Sequence, residues 1–360
     1  MKKKLWGLLY IAITLGIVMV VVVKNTDFNE LANALKQANW WWLLGGLACM
    51  LVYFAFEGIP VYLVYKNHGY KISLVQAIKV GVIGLYYSGI TPSSTGGQSM
   101  QVIYLTKLNL PLGLSSFVSV LKLIFFQSTM TGTCILGYII VMQYANSVST
   151  YVIVFLLIGV VINALLLIGV GLLLKKPIIL SKILRFVMKI VAKFIGKKAV
   201  ALRQKGREAI DNFYESYNMS RKNSKDKLAV FVCSLIQTIA YLSVTFFVFK
   251  ASGLSFTKGI PGLTGAAFID IFFVQALVFC AVSFFPLPGA AGAQELGFAG
   301  FFSPIFGDTL TLPAMLVWRT LTSYLVILTG AGIVTADTVK DIAHKKRQTV
   351  KISDNNSEEN

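Results

Sequence analysis

Apolar residues run along this 360-residue chain in stretches much longer than the polar ones between them. Uninterrupted apolar spans fall at 5–23, 40–65, 115–143, 150–174, 228–250 and 312–336. Crossing a hydrocarbon core of ~30 Å takes ~20 apolar residues as helix. The runs from Leu5 to Val23 and from Tyr151 to Leu174 carry no charge. A soluble helix of that length needs a polar face, and these have none. Two further apolar regions, 72–108 and 260–306, are interrupted by Gly, Pro and Ser. The pattern predicts an all-α integral membrane protein, with about six full transmembrane helices plus two re-entrant helical hairpins.

Composition agrees. Charged residues make up 13% of the chain, against ~25% in soluble domains. The net charge of +18 sits between and beside the apolar spans. That placement argues against direct nucleic-acid binding and for contact with anionic membrane lipids, with basic segments on the cytoplasmic side. The stretch 175–227 holds 15 Lys and Arg and only four acids, Glu208, Asp211, Glu215 and Asp226. With Lys2 to Lys4 and Lys345-Lys346-Arg347, it assigns the N-terminus, this basic loop and the C-terminus to the cytoplasm. Within it, Ser181 to Val200 reads as an amphipathic helix lying on anionic lipid. The first apolar run lacks a small-residue cleavage site and reads as an uncleaved span. Residues 1–336 form one polytopic domain, and 337–360 a largely disordered tail.

Parity narrows the topology. An even number of crossings must separate the N-terminus from residue 175, and the four uninterrupted spans already supply it. Region 72–108 should then enter from the cytoplasm and return, and 260–306 should do the same from outside. Non-helical backbone at that depth is tolerated only where protein or a water-filled cavity satisfies it.

The two broken regions match each other. The first reads Ile90-Thr91-Pro92-Ser93-Ser94-Thr95-Gly96-Gly97-Gln98 and the second Pro286-Leu287-Pro288-Gly289-Ala290-Ala291-Gly292-Ala293-Gln294-Glu295. Aligning Pro92 with Pro288 also aligns Gly96 with Gly292 and Gln98 with Gln294. A lone cation follows at nearly equal spacing, Lys122 and then Arg319. Such Gly/Pro-interrupted segments in halves 40–143 and 228–336 are the signature of an inverted repeat whose breaks mark a binding site. Broken helices expose N–H groups suited to phosphate. The candidate headgroup-binding set is therefore Ser93, Ser94, Thr95, Gly96, Gly97, Gln98, Gly289, Gly292 and Gln294.

Ionisable residues inside spans, Glu57, Lys122, Asp270, Glu295 and Arg319, each cost ~3 kcal/mol at mid-bilayer and should meet a partner or a cavity. Structural ion pairing accounts for some of them. Three acids against two cations leave one carboxylate for a cationic ligand or a proton. Trp40-Trp41-Trp42 reads as an interfacial anchor. Cys49, Cys134, Cys233 and Cys280 are far apart and form no CxxC, and His68 and His344 make no ligand pattern with them. No metal, cofactor or catalytic set is expected, and no Walker A sequence is present.

Thr91-Pro92 through Gly96-Gly97-Gln98, the stretch from Pro286 to Glu295, and Arg319 resemble the lysylphosphatidylglycerol synthase transmembrane family. That family is similar to the flippase-like membrane half of the bacterial multiple peptide resistance factor. The resemblance covers about residues 5–336. The second motif resembles a Pro-x-Gly-Gly-x-Gly-x-x-Glu pattern, with Ala290 at its second Gly. The resemblance implies a bacterial-type plasma membrane and translocation of a phospholipid, or of an aminoacylated one such as lysylphosphatidylglycerol. In the two-part enzymes a soluble C-terminal domain transfers lysine from aminoacyl-tRNA. This chain stops at Asn360, so the expectation is the membrane function, with a separate lipid-modifying enzyme as a partner. The alternatives are phosphatidylglycerol lysyltransferase activity and an ion-coupled small-solute transporter. The residues leave oligomeric state open.

Overall fold

The computed structural model describes residues 36–175 and 224–340, except 92, 93, 149, 256, 258, 284, 286 and 291, with residue 33 and scattered positions between 182 and 218. The first apolar span and, Lys182 apart, the amphipathic segment 181–200 lie outside the described residues, as does the tail from 341. Every regular element among the described residues is helical. In order these are α1 (Trp40–Asn67), α2 (Leu74–Ile90), α3 (Gly96–Lys107), α4 (Leu112–Ile140), α5 (Met142–Ser147), α6 (Thr150–Lys175), α7 (Ser224–Ala251), α8 (Ala267–Val282), α9 (Ala293–Phe306) and α10 (Asp308–Arg319). A short π turn, Thr320–Tyr324, carries α10 on into a continuous helix that ends at Lys340. Five helices, α1, α4, α6, α7 and the long Asp308–Lys340 unit, are long and apolar enough to cross a bilayer. The chain is an α-helical integral membrane protein.

The centre of the bundle is the antiparallel pair of α1 and α7. At one end the Asn39 N–H donates to the Ala251 carbonyl at 2.9 Å. At the other end Asn67 Nδ2 donates to Asp226 Oδ1 at 2.7 Å, and His68 Nε2 lies 3.0 Å from Asp226 Oδ2. Trp40 and Trp41 stay exposed on the bundle's surface, as expected of an interfacial anchor.

The two broken regions form helical hairpins whose arms are too short to span. α2 has 17 residues and α3 has 12, so they reach ~25 and ~18 Å at 1.5 Å per residue. α8 has 16 residues and α9 has 14, or ~24 and ~21 Å. Each hairpin starts where local chemistry stops the preceding helix. After α1, Ser73 caps α2 reciprocally with Gln76, Oγ to the Gln76 N–H at 3.1 Å and Gln76 Oε1 to the Ser73 N–H at 3.0 Å.

Because α1 and α7 run antiparallel, the hairpin that follows α1 and the one that follows α7 enter from opposite ends of the bundle. Their tips meet. Gly289, at φ +57, packs on α2 so closely that a Cβ there would lie 3.2 Å from the Gly89 carbonyl. Gly58 plays the matching part at the base of the first hairpin. A Cβ at that position would collide with the Ile78 backbone, so glycine lets α1 and α2 touch backbone to backbone.

Two apolar cores lie above and below the tips. One packs Met50, Val248, Phe249, Phe298, Phe302 and Trp318. The other packs Val61, Val64, Val80, Leu105, Phe117 and Val118 at the end of the bundle that carries the basic loop, with Phe213 and Tyr214 from that loop against them. A third, smaller apolar cluster joins Ile83, Tyr86, Tyr87 and Ile90 of α2 to Ile327, Ala331 and Val334, and buried polar side chains gather around Glu57 and Lys122.

Candidate functional site

A cavity of about 420 Å³ occupies the space between the hairpin tips and the walls of α1, α4, α6 and α7. This is within the ~300–1,000 Å³ of ordinary small-ligand sites. Its floor is an ion-pair network centred on Glu57. Glu57 Oε1 accepts from Lys122 Nζ at 2.7 Å and from Gln101 Nε2 at 2.6 Å, and Oε2 accepts from Gln237 Nε2 at 2.6 Å. Lys122 also donates to Gln101 Oε1 at 3.3 Å. The network joins α1, α3, α4 and α7. Three donors on one carboxylate are what a buried anion needs to offset its lost hydration.

The opposite wall carries the second charge pair. Arg319, at the end of α10 and 1% exposed, lines the cavity and pairs with Glu295. Glu295 is not among the residues that line the cavity. Its other oxygen accepts from the Gly292 N–H at 2.7 Å, so it also closes the tip of the second hairpin. Arg319 stands 5.5 Å from the centre of the Tyr324 ring across the π turn. Such turns often mark functional positions in a helix.

A third polar strand runs along the side. Gln127 Nε2 donates to Asn163 Oδ1 at 2.6 Å, and Asn163 Nδ2 donates to Ser283 Oγ at 2.8 Å. This ties the otherwise apolar α6 to α4 and to the end of α8. Apolar residues share the lining. Leu166 on α6 and Leu287 at the second tip line the cavity and are 42% and 48% exposed. The chamber combines charged and amide side chains with apolar ones such as Leu123, Phe126, Phe279 and Ile327.

The structure brings together most of the residues that the sequence singles out, and moves some elsewhere. Ser94, Thr95, Gln98, Gly289, Gln294, Glu57, Lys122 and Arg319 line the cavity. Ser93 lies outside the described residues. Gly96, Gly97 and Gly292 do not line it. The broken-helix N–H groups expected to hold phosphate are used locally, since the Gly96 N–H donates to Thr91 Oγ1 at 2.9 Å and that of Gly292 to Glu295. Gly97 serves packing instead, against Ser88 and the Gly84 carbonyl.

Asp270 is absent from the cavity as well. It sits in the first turn of α8, where Thr257 Oγ1, Thr264 Oγ1 and the N–H groups of Thr264 and Gly265 donate to its two oxygens at 2.5–3.0 Å. Loop donors within reach of a buried carboxylate saturate it, which leaves it no part in ligand binding. No group of three or more His, Cys, Asp or Glu able to hold a metal occurs among the described residues.

Sequence reasoning missed Gln101, Gln237, Ser119, Gln127 and Asn163, all cavity-lining and at most 9% exposed. The available signal was a neutral polar residue inside an apolar span, most plainly Asn163 within 150–174.

The halves correspond in detail. Tyr53 and Glu57 are the fourteenth and eighteenth residues of α1, and Gln237 and Tyr241 hold the same places in α7. All four line the cavity. Antiparallel central helices and hairpins from opposite ends define an α-helical membrane protein built around a central cavity.

The chain belongs to the family described as lysylphosphatidylglycerol synthase TM region, which residues 7–330 match. It is similar to a UPF0104 membrane protein of Archaeoglobus fulgidus, 22% identical over 337 residues that cover 92% of this chain and 97% of that protein.

Proposed function

We propose that this protein translocates a phospholipid, or an aminoacylated phospholipid, by seating its headgroup in the central cavity while the acyl chains stay in the bilayer. The observation that carries this reading is a cavity that sets buried charged and amide side chains beside exposed apolar ones, Leu166 and Leu287, next to the apolar α6. A water-soluble solute would call for a wholly polar lining. A lipid calls for apolar surface beside polar groups. The repeat architecture supports alternating exposure of one fixed site to the two leaflets.

The test uses purified protein in vesicles carrying fluorescent phospholipid that an impermeant reductant bleaches from the outer leaflet. Protein-dependent loss of the protected inner-leaflet signal is the expected result. Protection equal to that of protein-free vesicles for every phospholipid tried, with soluble solutes taken up instead, would overturn the reading.

The same proposal places the basic segment 175–227 on the cytoplasmic face of the cell membrane, on the strength of its 15 cations. In a chain with its four cysteines replaced, Lys198→Cys should resist an impermeant thiol reagent added to intact cells and react after permeabilisation. Reaction in intact cells would reverse the orientation.

A further inference from the structure

The charges of the cavity are not balanced on its surface. The charged side chains that line it are Glu57, Lys122 and Arg319, two cations against one anion. Glu57 is already engaged by three donors. The acid that neutralises Arg319, Glu295, is not among the lining residues and also holds the Gly292 N–H. Both carboxylates are thus already engaged by donors of the protein.

Donors with unused capacity line the same cavity. Arg319 Nε and Ser119 Oγ are buried without a hydrogen-bond partner, in side chains that are 1% and 2% exposed and line the cavity. Lys122 has three N–H bonds, and two of them go to Glu57 and Gln101. A buried donor without a partner is costly, and more so when it is charged. Such a cost is removed when an acceptor occupies the space these donors line. A phosphate ester anion supplies several strong acceptor oxygens and the negative charge that a guanidinium and an ammonium favour.

We infer that the cavity recognises a phosphate ester anion through Arg319, Ser119 and Lys122, and that it selects anionic headgroups over cationic, aminoacylated ones. This rests on the lipid reading above and narrows its substrate.

The experiment is native mass spectrometry of the purified chain in nanodiscs containing equal amounts of phosphatidylglycerol and lysylphosphatidylglycerol. A parallel titration of delipidated protein uses inorganic phosphate alone. Phosphatidylglycerol should be retained about tenfold over the lysylated lipid. Ser119→Ala should lower that retention about fivefold, and Arg319→Lys, which keeps a charge but lacks Nε, by tenfold or more. Ser119→Ala is the decisive variant if Arg319→Lys proves unstable.

Equal retention of the two lipids, or a preference for the lysylated one that Glu57→Gln abolishes, overturns this inference and leaves lipid handling standing. Binding of inorganic phosphate with retention of neither lipid keeps the anion site and overturns the lipid reading. Binding of neither lipid nor phosphate overturns both.

Discussion

Glu57→Gln should destabilise the folded protein by about 3 kcal/mol or more, and adding Lys122→Met should restore most of the loss. Lys122 is 6% exposed and has Glu57 Oε1 and Gln101 Oε1 as its acceptors. Removing the carboxylate charge strands a buried ammonium with an amide oxygen for company. Breaking one side of a buried pair costs about 3–5 kcal/mol, whereas replacing the whole pair by apolar groups is often neutral. Thermal unfolding in detergent, followed by the loss of monodisperse protein, reads the difference. If the double variant is as unstable as Glu57→Gln alone, the stability comes from the amides of Gln101 and Gln237 and not from the charge pair. The double variant should nevertheless be inactive in lipid translocation, because Lys122 is one of the donors that the cavity offers.

That pair also shows what a sequence can and cannot say about such a site. Glu57 and Lys122 stand out as ionisable residues inside apolar spans, and the cost of burying them announces that partners exist. Which partners they have is set by packing. Glu57 meets Lys122 across 65 positions and Gln237 across 180, and the pattern of apolar positions carries no information at those separations.

The hairpins were legible because Gly and Pro interrupt 72–108 and 260–306 and because 72–108 is short for two full crossings and a turn. The arms of 12–17 residues meet that expectation. The assignment of Asp270 failed for a local reason. Thr257, Thr264 and the turn before α8 look unremarkable in sequence, yet they fold over the carboxylate and consume it. Two glycines of the motifs are taken up in a related way. The N–H groups of Gly96 and Gly292 would suit a phosphate, but Thr91 and Glu295 fold back onto them.

Glu295→Gln should tighten the binding of anionic lipid and slow its translocation by about tenfold. A glutamine oxygen can still accept from the Gly292 N–H, so the tip of the second hairpin should keep its shape and the chain its fold. What is lost is the negative charge paired with Arg319. The guanidinium, already lining the cavity with a free Nε, then presents its full charge to the ligand. A change of ~1.4 kcal/mol in that interaction is tenfold in affinity. The same energy added to the step in which the headgroup leaves the site is tenfold in rate. The measurement pairs lipid retention in nanodiscs with the vesicle assay on one preparation. Gln294→Ala, on the adjacent residue, changes no charge and should have a milder effect on both. A Glu295→Gln protein that binds anionic lipid more weakly, with translocation falling in step, would mean that the carboxylate touches a cationic headgroup itself. The role of Glu295 as the counter-charge of Arg319 would then be wrong.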